Sequence, residues 1–243
     1  MEIVMQEKTQ FRHELKYMIN YADREILKAK ISNFMSLDEN AGNGSYKIRS
    51  VYFDDYWSTA YVDKTMGIQH RKKYRIRFYD DSDKVIKLEC KIKNVNYINK
   101  KSSSLSREET EMLMDNQNDF LLKRGDDLCN EFYYQCVSRV LRPKCIVDYE
   151  REPYVFEPGD VRITFDHDVR STVLFKDVFN SELPSIYVLE PGKLILEVKF
   201  TSFLPQIIKE MLPIPSGDFQ AFSKFTYCYE RAASFNPLLK KNI

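Results

Sequence analysis

Between residues 74 and 93 polar and apolar positions alternate one for one, the period of a β-strand whose successive side chains face opposite ways. In Tyr74-Arg75-Ile76-Arg77-Phe78-Tyr79, Arg75 and Arg77 share one face, while Tyr74, Ile76 and Phe78 share the other. In Val85 to Lys93, Lys87, Glu89, Lys91 and Lys93 oppose Ile86, Leu88, Cys90 and Ile92. Asp80-Asp81-Ser82-Asp83 lies between the two runs and is turn chemistry, so the pair predicts a hairpin with one apolar face and one charged face.

The same alternation recurs along the chain. Phe11 to Met18 predicts a first strand with Arg12, Glu14 and Lys16 on one side and His13, Leu15 and Tyr17 on the other. Asn20 predicts the N-cap of a helix running to about Met35. Tyr46 to Asp54 is a strand with two partly polar faces, and Tyr56 to Thr65 a short helix. Asn94 to Ser104, with Lys100 and Lys101, reads either as a loop ordered on binding or as a strand with a basic tip. Ser106-Arg107-Glu108-Glu109 is a capping box, opening a helix to roughly Lys123. A second helix follows from Asp127 to Leu141, ended by Pro143. Further strands are predicted at Cys145 to Arg151, Val161 to Asp166 and Leu194 to Phe200, and helices at Pro205 to Leu212 and Phe222 to Phe235. With no linker or internal repeat, the 243 residues read as one domain, 1–243, with a helical insertion at about 106–142.

Charge sharpens this picture. The chain carries a formal net charge of only +1, yet residues 71 to 107 hold twelve Lys or Arg against four Asp or Glu. Local segregation, not general polyanion attraction, is therefore the theme. Five cysteines without a C-x-x-C pair argue against a disulfide framework or a thiolate zinc site. No signal peptide and no run of about 18 apolar residues is present, which predicts a cytoplasmic protein without its own membrane segment. There is no Walker A loop, no G-x-G-x-x-G and no H-E-x-x-H, so a phosphate cradle would be built from side chains.

The charged faces could simply be solvated. Their near-uniform sign and the apolar stripes of the helices weigh against this, and if the sheet closes with helices packed outside, as an α+β closed antiparallel β-barrel, its cations turn inward to line a lumen. Such a lumen needs a multivalent anion, and its few glutamates would serve a divalent cation. Nucleic acid is a poorer partner, because only Tyr79 among aromatics shares the face of Arg75 and Arg77.

An ordered set of motifs carries a resemblance. Arg12-His13-Glu14-Leu15-Lys16-Tyr17, Ser50-Val51-Tyr52-Phe53-Asp54, Arg75-Ile76-Arg77, Glu89-Cys90-Lys91, Asp148-Tyr149-Glu150-Arg151, Val161 to Asp166, Leu196-Glu197-Val198-Lys199 and Phe222-Ser223-Lys224-Phe225 together resemble the VTC polyphosphate polymerase domain of the triphosphate tunnel (CYTH-like) superfamily. The resemblance implies that Lys16, Arg75, Arg77, Lys91, Arg151, Arg162, Lys199 and Lys224 grip phosphate, and Lys101, on the basic tip, is a further phosphate-binding candidate. Arg75, Arg77, Lys91 and Lys199 would act on the transferred group, and Glu197, with Glu89 and Glu14 behind it, would hold Mn²⁺ or Mg²⁺. The implied reaction passes a phosphoryl group from a nucleoside triphosphate, ATP foremost, to phosphate or polyphosphate. A tunnel triphosphatase acting on tripolyphosphate or nucleotides, or a non-catalytic sensor, are the alternatives. The hydrolytic branch has Glu-x-Glu-x-Lys on its first strand, and Arg12 stands at its first position here, which favours the polymerase-like branch. The SPX and membrane-spanning parts of eukaryotic polymerases are not among these residues, so a membrane-protein partner is a further expectation.

Overall fold

The structure is a computed structural model that describes residues 13–235 except 96, 174, 213, 216, 220 and 221. Arg12, whose position separates the two branches, lies outside them.

The first strand, β1 (His13–Asn20), passes directly into α1 (Tyr21–Ile31), because the Asn20 side chain accepts the Asp23 backbone N–H and starts the helix. After the short β2 (Ser36–Leu37) come β3 (Tyr46–Asp54) and α2 (Thr59–Thr65). The hairpin follows as β4 (His70–Tyr79) and β5 (Ser82–Asn94), joined at Asp80 and Asp81. Both residues have positive φ, 52° and 50°, as a type I′ turn requires.

The basic-tipped segment is a full strand, β6 (Tyr97–Leu105). The capping box at Ser106 and Glu109 forms as expected and opens α3 (Arg107–Met114), which stops well short of Lys123 because Asn116 turns left-handed at φ 62°. Then α4 (Asp127–Ser138) ends before Leu141, at a left-handed Val140. Pro143 lies inside the long β7 (Arg142–Phe156), beside a register shift that spares it the missing ladder donor. The chain is completed by β8 (Val161–Thr172), β9 (Ile186–Tyr187), β10 (Lys193–Phe200), α5 (Gln206–Met211), β11 (Asp218–Phe219) and α6 (Lys224–Phe235).

All strands belong to one antiparallel sheet, ordered β11-β1-β10-β8-β7-β3-β4-β5-β6, with β2 added on β7 and β9 on β8. This corrects the expected closed barrel. Among the described residues no ladder joins β6 to β1 or β11, so the sheet is open. The reason lies in the edges: β11 occupies the outer edge of β1, and β6 carries Lys100, Lys101 and three serines, a composition that blunts further pairing. The sheet is nonetheless curled, since Lys91 on β5 comes within 3.5 Å of Glu14 on β1 across its concave side.

Two apolar clusters cover the convex side. One packs α3 and α4 on β3 to β6 through residues such as Leu113, Phe132, Ile76 and Leu88. The other packs α1 and α5 on β1, β10 and β8 through Leu27, Ile208, Leu196 and Phe165. The third cluster corrects the expectation that helices lie only outside. Phe225, Cys228 and Tyr229 of α6 pack with Cys145, Val147 and Tyr149 of β7, so α6 fills part of the concave side.

One buried cation belongs to the scaffold. Arg49, 1% exposed, clamps Asp148 with two bonds of 2.8 Å and donates to the carbonyls of Val178 and Asn180. Replacing Arg49 by Met leaves Asp148 buried without its counter-charge, so urea unfolding should show a loss of about 3–5 kcal/mol while the concave-face cations keep their positions.

Candidate functional site

Alternation along β4, β5, β10 and β8 sends the charged set to the concave face, where it lines two cavities of about 1180 and 540 Å³. Glu14, Arg75, Arg77, Lys91, Arg151 and Lys199 line both, so the two are compartments of one space. The narrower compartment is bounded by eleven Lys or Arg side chains and only two carboxylates.

Four carboxylates hold these cations in place, each shared by two of them. Glu89, 2% exposed, takes Arg75 at 2.6 Å and Lys100 at 2.7 Å. Burial opposes its charge, but Arg75, Arg77 and Lys100 prevail and hold its pKa down at about 2. Asp166, fully buried, accepts two bonds of 2.7 Å from Arg151 and pairs with Lys224 at 2.5 Å. Glu197 pairs with Lys199 and, at 3.5 Å, with Lys16. Glu14 pairs with Lys16 at 2.7 Å and with Lys91 at 3.5 Å. Despite strong burial, Glu197 stays ionised far below the usual carboxylate range through Lys16, Lys199, Lys224 and Arg151.

Arg77 and Lys73 are among the cations that lack such a partner. Arg77 is oriented by neutral groups, its Nε on Ser50 Oγ at 3.2 Å and its Nη2 on Tyr149 Oη at 3.3 Å, and it makes no ion pair among the described residues. Lys73 donates to Ser223 Oγ at 3.3 Å and sits 4.8 Å from the centre of the Phe225 ring, again without an ion pair among the described residues. Burial, then the charges of Lys64, Arg71 and Lys91, push its pKa down to about 7. Lys91 falls to about 8, first through burial between the cavity walls and then through Lys16 and Lys199, against the opposing pull of Glu14. The N-terminus of α6, with Lys224, faces the same compartment and adds its positive dipole end.

The expected residues therefore meet, with one exception. Lys16, Arg75, Arg77, Lys91, Arg151, Lys199 and Lys224 line the narrower compartment. Arg162 lines the wider one, bound to Asp38 at 2.9 Å and Tyr46 Oη at 3.0 Å. Lys101 is the exception. It lies opposite Cys90 in the ladder, hence on the convex face, and pairs with Glu131 on α4 at 3.5 Å. Lys100, opposite Lys91, takes its place inside. Sequence reading also missed Lys64, Arg71 and Lys73, although Arg71 and Lys73 continue the same-face alternation of Arg75 and Arg77.

The three candidate metal ligands divide. Glu14 and Glu197 converge, since both hold Lys16. Directly across the ladder from Glu197, the buried Thr164 hydroxyl has no hydrogen-bond partner among the described residues. Two carboxylates, one of them beside such a hydroxyl, are hard oxygen donors that fit Mg²⁺ or Mn²⁺ when phosphate oxygens complete the shell. Glu89 does not join them, being committed to Arg75 and Lys100. Among the described residues no group of three His, Cys, Asp or Glu could hold a metal unaided.

A similar fold is found among solved structures. A proposed adenylyl cyclase from Hippeastrum with a dominant triphosphatase activity superposes with a TM-score of 0.55 at 13% identity, covering 90% of this chain and 95% of that one. A proposed adenylate cyclase from Bacillus halodurans superposes at 0.44 with 12% identity, over 96% and 89% of the two chains. The likeness to the Hippeastrum protein is one of fold. The chain itself belongs to the VTC domain family, whose model matches residues 11–233. No curated protein sequence matches it.

Two lysines with lowered pKa values would make the binding of a polyanion in this cavity pH-dependent. Lys73 and Lys91 shed their protons as pH rises through about 7 and about 8, so a bound polyanion must restore them. Calorimetry with inorganic tripolyphosphate should show proton uptake and falling affinity between pH 7 and 9, and Lys91→Met should flatten the profile.

Proposed function

We propose that the chain transfers the γ-phosphoryl group of a nucleoside triphosphate, ATP foremost, to phosphate or polyphosphate within the basic cavity, with a divalent cation at Glu14 and Glu197. The observation that carries this is the convergence of Arg75, Arg77, Lys91, Arg151 and Lys199 on one shared cavity. Membership in the VTC domain family supports it.

The bond between the γ-phosphorus and its bridging oxygen breaks, an acceptor oxygen takes its place, and the nucleoside diphosphate leaves with the electron pair. A phosphate acceptor is already ionised, so no general base is needed. What the reaction does need is alignment and neutralisation of spread negative charge. Arg75 and Arg77 offer fork-shaped donors for equatorial oxygens, and Lys91 and Lys199 offer compact charges to either side. A metal held by Glu14 and Glu197 would supply further charge neutralisation on phosphate oxygens. Arg77 is the group best suited to the transferred phosphoryl, because it has no carboxylate to give up first.

Hydrolysis is the second reading, favoured by the dominant triphosphatase activity of the Hippeastrum protein of similar fold. A cytoplasmic setting agrees with an ATP-dependent reaction and with five buried cysteines that are all free thiols. Among the described residues no helix is long and apolar enough to cross a membrane.

Incubation of the purified protein with ATP and Mn²⁺ separates the readings: long-chain polyphosphate marks transfer, free phosphate alone marks hydrolysis, and binding without turnover marks a sensor. Arg77→Ala should cost about 10²–10³ in kcat with an unchanged circular dichroism spectrum. Glu197→Gln should abolish turnover, and full activity in either variant removes that residue from the site.

A further inference from the structure

The two compartments differ in what they offer besides the cations they share. The narrow one sets eleven basic side chains against two carboxylates, whereas the wide one sets eight against five, with Asp38, Asp80, Glu157 and Asp160 found only there. A phosphate chain carries a charge at every unit and is repelled wherever carboxylates interrupt the cations. The wide compartment is thus a poor berth for a long polyphosphate.

It is a good one for a neutral aromatic group. Tyr46, Ile48, Tyr79, Val155 and Phe156 line it. The narrow compartment has rings of its own, but Arg75, Lys224 and Lys73 already lie over Tyr52, Tyr149 and Phe225, while Phe219 and Phe222 pack on Tyr17 and Tyr227. Tyr79 is the key position. It follows Arg75 and Arg77 on the same face of β4, one same-face step, or about 7 Å, beyond Arg77. The turn at Asp80 and Asp81 fixes its backbone, Ile48 lies opposite it in the ladder, and its ring meets that of Tyr46 at 5.8 Å and 70°. An apolar wall therefore begins one step from the cation assigned to the transferred group.

We propose that the nucleoside of the donor nucleotide occupies the wide compartment with its base against the Tyr79 ring, and that the acceptor chain occupies the narrow one. This rests on the phosphoryl-transfer reading and adds a direction to it: nucleotide enters at the Tyr79 end, the triphosphate points past Arg77 toward Lys73 and α6, and product grows out through the narrow end. Base stacking on an aromatic side chain gives appreciable and sequence-tolerant affinity.

The test compares ATP with inorganic tripolyphosphate, which has the phosphates and no base, by calorimetry on the wild-type protein and on Tyr79→Phe, Tyr79→Leu and Tyr79→Ala. Tyr79→Phe keeps the ring and should bind both ligands as the wild type does. Tyr79→Ala should bind ATP about tenfold more weakly with tripolyphosphate affinity held within about twofold, and Tyr79→Leu, which keeps apolar bulk, guards against misfolding by giving the same selective loss. ATP affinity unchanged in both ring-less variants, or lost in step with tripolyphosphate, overturns the orientation while leaving phosphate recognition standing. Failure of the wild-type protein to bind either ligand overturns both.

Discussion

Repulsion among cations gathered on one concave face is the constraint that the rest of this structure answers. In water two unit charges 4 Å apart interact by about 1 kcal/mol, and between protein walls by several times that, so the set cannot be packed there unaided. Glu14, Glu89, Asp166 and Glu197 each lie between two cations from different strands or from a strand and α6. This cross-linking does two things at once. It makes the assembled charge tolerable, and it fixes each guanidinium or ammonium in a direction before any ligand arrives. Preorganised charge of this kind has little left to rearrange when phosphate oxygens enter.

The compensation is deliberately incomplete in spatial terms. Carboxylates sit beneath Arg75, Arg151 and Lys199, while Arg77 and Lys73 rest on hydroxyl groups and aromatic rings. Neutral partners orient a cation without cancelling its field. The residual positive potential is therefore concentrated along β4 and the N-terminus of α6. Part of that potential is relieved when Lys73 and Lys91 give up protons near neutral pH, which lowers the cost of the empty cavity and is reversed by an anion.

Period-two alternation made most of this visible in sequence, because it needs no knowledge of neighbours. It put Arg75, Arg77, Glu89, Lys91, Glu197 and Lys199 on charged faces, and those faces do line one cavity. Local chemistry was equally direct at Asn20 and at Ser106 with Glu109, where cap and helix are a few residues apart. What failed depended on register or on long-range placement. Choosing Lys100 over Lys101 requires knowing that β6 pairs Lys100 with Lys91, a fact set by the β5–β6 connection. Sheet closure depends on edges more than 70 residues apart in sequence, and a strand pattern is the same in an open sheet as in a barrel. The amphipathic pattern of α6 shows that it needs an apolar partner but not which side of the sheet supplies it.

The inward position of α6 changes how the cavity works. In an open sheet a charged concave face would be a trough, wetted along its length and screened by counter-ions. Phe225, Cys228 and Tyr229 pack against Tyr149 and its neighbours on β7, so α6 closes part of that trough with apolar side chains and excludes water from behind the site. The same helix brings Lys224 onto Asp166 and Phe225 under Lys73. Enclosure that a closed barrel would obtain from backbone ladders is obtained here from a helix, and the element that lowers the local dielectric also contributes charge where the lowered dielectric makes it count most.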